Sequence, residues 1–252
     1  MKRERGSSIN RVLDILDTVA SSNKPISATE INETLNLPKA TAHRLCAALE
    51  AQGYLLKKLN GKSYMPGNRL YKMSVGVMTH SRFRALRHAI LKSLSEDIGE
   101  TCNIAYPDGL QMTYSDRVET QWVLRLQVPI GSSVPLHCTA SGKLYLSSLP
   151  KSKLGSIVNK LDLRAMTKNT ITDKAELIKE VASIRKNQMS IDNEELFDGI
   201  IAVAVPITDS QGRFYSSLAF QAPMFRLSLD DAQQYIPHLR QAAKELSTLA
   251  DE

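Results

Sequence analysis

Four polar residues near position 40 have the types and spacing that could read DNA bases. They lie on the outer side of a predicted helix, opposite Leu45, Ala48 and Leu49. The small Ala40 and Ala42 beside them are expected to permit close approach to DNA. Arginine and lysine donate to guanine or phosphate, histidine donates according to its protonation, and threonine offers a methyl and a hydroxyl group. A helix that presents such groups from its first turns suits the DNA major groove. The candidate base-reading residues are Lys39, Thr41, His43 and Arg44.

A second group, His137-Cys138 with Asp192 and Glu194-Glu195 further along the chain, contains the residue types of a cysteine hydrolase. Such an enzyme needs a base that deprotonates the thiol and an acid that orients the base. Adjacent residues on an extended segment point to opposite sides, so His137 is poorly placed to deprotonate Cys138. The sequence also has no GxSxG motif, no HExxH motif and no clustered His/Cys spacing. We therefore predict that the protein is not an enzyme and uses neither a metal ion nor a cofactor.

Arg125 lies in a largely apolar segment, residues 121–128, which we predict to be a strand. An arginine in such a strand can pair with an Asp or Glu and serve only the structure. It can also anchor an anionic ligand through paired, charge-assisted hydrogen bonds. The sequence leaves both interpretations open.

The base-reading candidates are positioned by a predicted unit of three helices. Apolar residues at helical spacing indicate a first helix that ends near residue 21. Ser27 and Glu30 have the spacing of a capping box and start a second helix. A short turn leads to a third helix, with Pro38 in its first turn and Gly53 at its end. The pattern predicts a helix-turn-helix.

Basic residues also flank this unit on both sides. After the third helix, two short strand-like segments around Asn60-Gly61 predict a β-hairpin, and lysines at its tip suit contact with DNA phosphates, as in a wing. The basic N-terminal arm can reach a neighbouring minor groove. The expected contacts come from Lys57, Lys58 and Lys62 in the wing and from Arg3 and Arg5 in the arm.

Charge is distributed unevenly along the 252 residues, whose formal net charge is +6. Residues 1–80 contain 12 Lys and Arg against 6 Asp and Glu, whereas the remaining 172 residues contain 20 of each. A basic N-terminal third joined to a neutral remainder indicates a small DNA-binding domain followed by a second domain. No apolar run approaches the ~20 residues of a membrane span, and the three cysteines have no CxxC spacing. We expect a cytoplasmic protein without membrane contact or disulfides.

The second domain has the mixed pattern of an α+β fold. A long amphipathic helix that ends at Ile98 precedes strands, then helices, and then two strands around a turn at residues 209–212. Its predicted apolar face consists of Ala85, Leu86, Ala89, Ile90 and Leu94. The helix that joins the two domains carries two apolar stripes rather than one. Packing against a partner chain and packing against the second domain both explain them, and the need to bind two DNA half-sites favours a dimer.

Four segments together resemble the IclR family of prokaryotic transcriptional regulators, in the order found there. They are PKATAHRL at 38–45, GSSVPLHCTASGK at 131–143, DNEE at 192–195 and AVAVP at 202–206. The resemblance covers essentially the whole chain. It implies a winged helix-turn-helix domain (1–67), a linker helix (68–81) and a GAF-like or profilin-like α+β effector-binding domain (82–252). It also implies a homodimer or a dimer of dimers on a double-stranded DNA operator.

The resemblance further implies an effector pocket in the second domain. A helix that starts at Ala140 would offer backbone N–H groups to a carboxylate, which supports a small organic acid as the effector. The chain departs from the family pattern at Ala202, where cysteine is common, and at Ala219 and Gln221, which replace small hydroxyl residues of some members. The implied pocket residues are Val123, Leu126, Val134, Ala140, Ser141, Asp192, Ile200, Ala202, Ala219 and Gln221.

Two rival functions stay open beside a ligand-controlled regulator. One is an enzyme that uses the second domain as its catalytic site. The other is a DNA-binding protein whose second domain binds no ligand and only dimerises. Whether the protein would repress or activate is open as well, because the family contains both kinds.

Overall fold

The computed structural model describes residues 8–22, 24–58, 61–78, 81–123 and 125–251. The chain divides into two compact units, residues 1–83 and 84–252. Within the described ranges, no helix combines the length and the apolar character that crossing a membrane requires. Each unit contains its own apolar core.

The first unit combines helices with a small antiparallel sheet. Its elements are α1 (Ser8–Ala20), β1 (Ile26–Ser27), α2 (Ala28–Leu35), α3 (Lys39–Ala51), β2 (Leu55–Lys57), β3 (Ser63–Pro66) and α4 (Asn68–Met78). Strand β3 lies between β1 and β2 and pairs with both. Ile15, Ile31, Cys46 and Leu55 are fully or almost fully buried between these elements and form the core that orients α3.

The predicted capping box is present at the start of α2. Ser27 Oγ accepts the N–H of Glu30 at 3.2 Å, and Glu30 Oε2 accepts the N–H of Ser27 at 2.8 Å. Asn36 ends α2 in the left-handed conformation, with φ 51°, and the chain then turns directly into α3. The helix-turn-helix is therefore confirmed. Strand β1 was not predicted, because a segment of two residues shows no alternating pattern.

The inner face of α3 differs in part from the expectation. Leu45 and Leu49 are buried as predicted, together with Cys46, but Ala48 is exposed. Ala42 is fully buried, although it was expected to allow close approach to DNA. Positions 42, 45, 46 and 49 follow the 3.6-residue period of one helical stripe, and position 48 lies outside it. The exposed Ala40 remains the small residue on the outer face.

The second unit is an α+β domain. Its first half consists of α5 (Ser81–Ile98), β4 (Thr101–Asp108), β5 (Gln111–Val118), β6 (Ser133–Pro135), α6 (Ala140–Ser148) and α7 (Lys151–Lys160). Its second half consists of α8 (Lys174–Asn187), β7 (Ser190–Asn193), β8 (Ile200–Thr208), β9 (Phe214–Pro223), α9 (Leu229–Ala232), a 3₁₀ turn (Gln233–Tyr235) and α10 (Ile236–Asp251).

The six strands of this unit form one antiparallel sheet in the order β6-β5-β4-β9-β8-β7. Alternation along each strand sends side chains to two faces. On one face Val203 and Phe220 pack against Leu94 of α5 and Leu239 of α10. On the other face Ala204 and Ala219 pack against Ala140 and Leu144 of α6. The second face is the one that carries the cavity described below.

Residues 121–128 do not form the strand that their apolar pattern predicted. The described residues of this segment are irregular, and the outer edge of β5 pairs with β6 instead. Arginine side chains bind the carbonyl groups of the segment: Arg117 donates to Leu126, and Arg125 donates to Trp122 at 3.0 Å. The segment therefore does not need a ladder of strand hydrogen bonds.

The buried face of α5 differs in part from the prediction. Leu94 is buried on the sheet and Ile90 packs partly against it, as predicted, together with Leu91 and Ile98. Ala85, Leu86 and Ala89 are exposed. The apolar contacts of α5 with the sheet begin near Ile90, and an apolar pattern cannot show where along a helix such contacts begin.

Candidate functional site

The outer face of α3 presents the candidate base-reading residues. Lys39, His43 and Arg44 are exposed, and Thr41 is half-buried. The opposite face of α3 is held in the core of the first unit by Leu45, Cys46 and Leu49. The helix therefore projects donors of the kind that bind base edges from a rigid support.

A groove of about 740 Å³ lies between α2, α3 and the β2–β3 hairpin. His43, Lys57 and Lys62 line it, so one helix residue and two hairpin lysines share a surface. Thr29, exposed in the first turn of α2, lines the same groove. Sequence reasoning missed Thr29. Its position in the first turn of α2, close to the capping residue Ser27, is the sequence feature that could have identified it.

The hairpin lysines differ in their surroundings. Lys57 Nζ lies 3.4 Å from Glu50 of α3 and 5.5 Å from the centre of the Tyr64 ring, so part of its charge is already balanced. Lys58 is exposed at the end of β2. The candidate arm residues Arg3 and Arg5 lie outside the described residues.

The second unit contains a small cavity between α6 and the sheet. Eight of the ten candidate effector residues line it, and the lining also includes Asn103, Tyr114, Thr139, Leu196 and Phe197. The eight are Leu126, Ala140, Ser141, Asp192, Ile200, Ala202, Ala219 and Gln221.

Strand register brings these distant residues together. Asn103 on β4 pairs with Ala219 on β9, and Gln221 on β9 pairs with Ala202 on β8. Ala202 in turn pairs with Asp192 on β7. Directly paired residues of an antiparallel sheet project to the same face, so four strands contribute to one wall.

Two of the ten candidates lie elsewhere. Val123 is 97% exposed, because residues 121–128 form no strand that would direct it inward. Val134 on β6 is buried in the core that contains Leu136 and Leu146, on the far side of β5 from β4. These two assignments were wrong for the lining of this cavity.

The start of α6 forms the opposite wall of the cavity. Thr139 caps the helix: its Oγ1 accepts the N–H of Gly142 at 3.0 Å and donates to the carbonyl of Pro135 at 2.7 Å. A Cβ at position 142 would lie 2.5 Å from the Leu136 backbone, so only glycine allows this close approach. Among the described residues, none accepts a hydrogen bond from the N–H groups of Ala140 and Ser141.

Asp192 is the acidic group of the cavity and is almost fully buried. Its Oδ1 accepts the N–H of Glu195 at 2.7 Å. Burial raises the pKa of Asp192 to about 7, although backbone hydrogen bonds and Lys143 oppose the rise. The carboxyl group is therefore half protonated near neutral pH.

A buried ion pair supports the loop that carries Asp192. Lys143, only 1% exposed on α6, is bonded to Glu195 through Nζ and Oε1, and its Nζ lies 3.7 Å from Glu180 of α8. The pair joins α6, α8 and the β7–β8 loop. It therefore holds Asp192 and the start of α6 on the two sides of the cavity.

Two amides in the cavity wall have buried atoms without partners. They are Nε2 of Gln221, a donor, and Oδ1 of Asn103, an acceptor. A buried polar group without a hydrogen bond costs about 1 to 3 kcal/mol. Sequence reasoning missed Asn103 because its position on β4 becomes relevant only through the pairing with β9.

His137 and Cys138 have structural surroundings. Both are buried, and His137 Nε2 lies 3.0 Å from the carbonyl oxygen of Arg164. Burial raises the pKa of the Cys138 thiol to about 12, which disfavours the thiolate that a nucleophile requires. In the described ranges no group of three or more His, Cys, Asp or Glu side chains could hold a metal ion.

The structure shows Arg125 paired with an acidic side chain, which is the structural interpretation. Its Nε donates to Glu119 at 2.7 Å, and its Nη1 donates to the Trp122 carbonyl at 3.0 Å. Arg125 also borders a smaller space of about 180 Å³ beside the main cavity, with which it shares Leu126, Ile200 and Gln221.

Comparison with known proteins gives a consistent result along the whole chain. A family model described as "Bacterial transcriptional regulator IclR C-terminal" matches residues 75–248, and an IclR helix-turn-helix model matches residues 8–58. The chain is 38% identical over 246 residues to "Probable transcriptional regulator SauR" of Cupriavidus necator, and the alignment covers 98% of each chain.

Solved structures support the same assignment. The IclR crystal structure from Thermotoga maritima has a TM-score of 0.64 and 30% identity, covering 95% of this chain and 97% of that one. An IclR homologue from Microbacterium hydrocarbonoxydans, solved with 4-hydroxybenzoate, has a TM-score of 0.62 and covers 96% of this chain and 98% of that one. At 20% identity, this second likeness shows the fold alone.

These relatives are transcriptional regulators, which supports the regulator interpretation over the enzyme. Two domain models cover most of the chain, and a relative is 38% identical along nearly all of it. The chain therefore belongs to the IclR family of transcriptional regulators, with a DNA-binding helix-turn-helix domain followed by a ligand-binding domain.

Proposed function

We propose that this regulator reads its operator through α3 and the β2–β3 hairpin and responds to a small carboxylic acid bound in the cavity of the second unit. The observation that carries the proposal is the set of unused donors around that cavity. Gln221 Nε2 is buried without a partner, and the N–H groups of Ala140 and Ser141 have no acceptor among the described residues. A carboxylate would satisfy donors of both kinds.

The physical setting favours an anion at the start of α6. The first N–H groups of a helix lack partners within the helix, and the helix dipole adds a partial positive charge there. Gln221 supplies an independent donor from the sheet side of the same cavity. A carboxylate has two oxygens and can accept from both walls at once.

Asp192 would set a further requirement on the effector. With its pKa raised to about 7, the group is partly protonated at neutral pH and can donate a hydrogen bond or accept one. An effector with a hydroxyl or a second acidic oxygen near Asp192 would complete its hydrogen bonding. The lining combines apolar side chains with a few polar groups, as small-molecule sites do.

A carboxylic acid is also the ligand in a protein with this fold. The structure from Microbacterium hydrocarbonoxydans is a complex with 4-hydroxybenzoate, an aromatic carboxylic acid. That complex supports the ligand class and leaves the particular acid of this chain to experiment.

For DNA, Lys39, Thr41, His43 and Arg44 are proposed to contact bases, and Lys57, Lys58 and Lys62 are proposed to contact phosphates. Two DNA-binding domains are needed to read two half-sites, so a homodimer or a dimer of dimers is the proposed assembly. An effector changes operator affinity only if it binds the DNA-competent and incompetent arrangements with different affinity. The linker helix, predicted at 68–81, is the proposed transmitter.

A thermal-shift experiment on the full-length protein tests the effector class. The probes are aliphatic and aromatic monocarboxylic acids, each compared with the primary amide of the same skeleton. Binding to the native state raises the melting temperature. An acid that stabilises while its amide does not supports the proposal. Equal shifts from an acid and its amide, or no shift from any acid, would overturn it.

Gln221→Leu locates the site. The variant removes the unpartnered donor while keeping a similar side-chain volume, so the fold is retained. We expect about tenfold weaker binding of the stabilising acid, the cost of one hydrogen bond to a charged group. The matched control is Gln211→Leu, in the exposed turn between β8 and β9. Unchanged acid binding in Gln221→Leu would place the ligand elsewhere.

A further inference from the structure

Arg117 on β5 is a buried guanidinium whose hydrogen bonding is incomplete. The residue is 7% exposed. Its Nη2 donates to the carbonyl of Leu126, but Nε and Nη1 are buried and have no hydrogen-bond partner. A buried cation with unused donors is costly unless something pairs with it.

Arg117 lies against residues that line the cavity of the second unit. It pairs in strand register with Asn103, its guanidinium lies 5.8 Å from the centre of the Tyr114 ring, and it binds the Leu126 carbonyl. Asn103, Tyr114 and Leu126 all belong to the cavity wall. The guanidinium is therefore next to the cavity rather than on the outer surface.

A register shift accounts for this placement. Strand β5 shifts against β4 between Ile104 and Ala105, so that Tyr114 pairs with Ala105 while Asp116 pairs with Ile104. The extra residue, Ser115, reverses the alternation of β5. Arg117 consequently faces the same side of the sheet as Tyr114, although the two are an odd number of residues apart.

The charges around Arg117 do not balance. Among the described residues, the carboxylate within 4 Å of Arg117 is that of Glu119, with 3.7 Å between Nε and Oε1. Arg125 uses the same carboxylate at 2.7 Å. The neighbouring Asp116 projects to the other face, where Arg87 and His88 of α5 each lie 3.1 Å from it. Two guanidinium groups therefore share one carboxylate beside the cavity.

We infer that the effector carries a second anionic group and that Arg117 forms the subsite that binds this group. The inference rests on the proposed carboxylate site at α6 and Gln221 and specifies its ligand further. Strand β4 alone separates Gln221 on β9 from Arg117 on β5, a span of roughly 10 Å between backbones. Gln221 and Arg117 face the same side of the sheet, and a chain of a few carbon atoms between two acidic groups matches this separation.

Isothermal titration calorimetry on the full-length protein tests the second subsite with matched pairs of ligands. Malonate, succinate and glutarate are compared with propanoate, butanoate and pentanoate, which have the same chain lengths and one acidic group. We expect one dicarboxylate to bind at least about tenfold more tightly than its partner, since a charge-assisted hydrogen bond contributes about 1.5 to 3 kcal/mol. Dicarboxylates that bind no better than their partners would overturn the inference.

Arg117→Met tests whether Arg117 is the residue that binds the second acidic group. Glu119 keeps Arg125 as its partner, so removal of the Arg117 charge leaves no carboxylate uncompensated, and methionine keeps a similar side-chain volume. We expect the preferred dicarboxylate to fall to the affinity of its monocarboxylate, whose own affinity changes less than about twofold. Arg117→Lys, which keeps the charge, should retain part of the preference. Arg213→Met, in the exposed turn beside β9, is the matched control.

The outcomes separate this inference from the proposed function. If monocarboxylates bind and a second acidic group or Arg117→Met makes no difference, the second subsite is wrong and the carboxylate site stands. If neither series binds, both are wrong. A dicarboxylate preference that disappears in Arg117→Met and persists in Arg213→Met supports both.

Discussion

On α3, the candidate base-reading residues Lys39, His43 and Arg44 are exposed side by side on one helix, whereas the cavity of the second unit takes its residues from strands and loops far apart in sequence. Water satisfies the polar groups of α3 until DNA replaces it. In the cavity, Gln221 and Asn103 keep buried polar atoms without partners. The first surface is defined by local sequence, and the second exists only once the sheet has formed.

The two regions also differ in what supports them. Apolar residues alone hold the inner face of α3, so a change on its outer face leaves the support intact. The cavity depends on the buried pair of Lys143 and Glu195, which connects α6 to the loop after Asp192. We therefore expect changes near the cavity to affect stability and ligand binding together, and changes on α3 to affect DNA binding alone.

The largest expected effect is that of Lys143→Met. Removal of one partner leaves the buried Glu195 carboxylate uncompensated, which typically costs about 3 to 5 kcal/mol. Chemical denaturation should show a loss of this order. Lys151→Met, on the exposed start of α7, is the control and should change stability little. A loss below about 1 kcal/mol in Lys143→Met would contradict the view that the cavity, unlike α3, depends on a buried ion pair.

Arg44→Ala should affect DNA binding without affecting the fold. A bidentate arginine–guanine contact contributes about 1 to 3 kcal/mol, so operator affinity should fall by roughly 10- to 100-fold per half-site. Gel shifts with operator and with unrelated DNA measure the loss of specificity, and thermal unfolding should match the wild type. Operator affinity equal to that of the wild type would remove Arg44 from the base-reading set.

The pH dependence of stability in Asp192→Asn tests whether the pKa of Asp192 is raised in the folded protein. The raised pKa of Asp192, about 7 against an ordinary value of 3.8, means that the folded state holds a proton that the unfolded state releases. This contribution to stability is complete below the unfolded pKa and is lost as pH rises to about 7. Asparagine removes the penalty, so the variant should gain clearly more stability at pH 8 than at pH 5.

Other titratable groups near Asp192 also influence its pKa and bear on the interpretation of that experiment. Glu195 raises its pKa and Lys143 lowers it, and Tyr114 and Cys138 lie close enough for Asp192 to raise theirs. Denaturation curves of wild type and variant at several pH values give the difference directly. A gain that is the same at pH 5 and pH 8 would mean that Asp192 is already ionised in the folded protein.

The smallest expected effect is that of Lys58→Ala in the hairpin. A phosphate contact carries no sequence information, so binding should weaken by a similar factor on operator and on unrelated DNA. The slope of log affinity against log salt should fall by about 1 per lost contact. A loss confined to the operator would mean that the hairpin reads bases, which would extend the specific surface beyond α3.

Sequence reasoning succeeded where the relevant interactions are local. The capping box of Ser27 and Glu30 lies within four consecutive residues, and its hydrogen bonds formed as the sequence predicted. The same local reasoning failed at residues 121–128, where the carbonyl of Leu126 is bound by Arg117 of the neighbouring strand β5 and the carbonyl of Trp122 by Arg125.

The sequence alone determined the order and type of most elements, the basic character of the first unit and the outward residues of α3, because helix period, capping and charge act over a few residues. Tertiary structure alone decided that Asn103 lines the cavity, that Arg117 lies next to it, and that Val123 and Val134 do not line it. Strand pairing and the shift between Ile104 and Ala105 select the face of each side chain, and those contacts form between residues far apart in the chain.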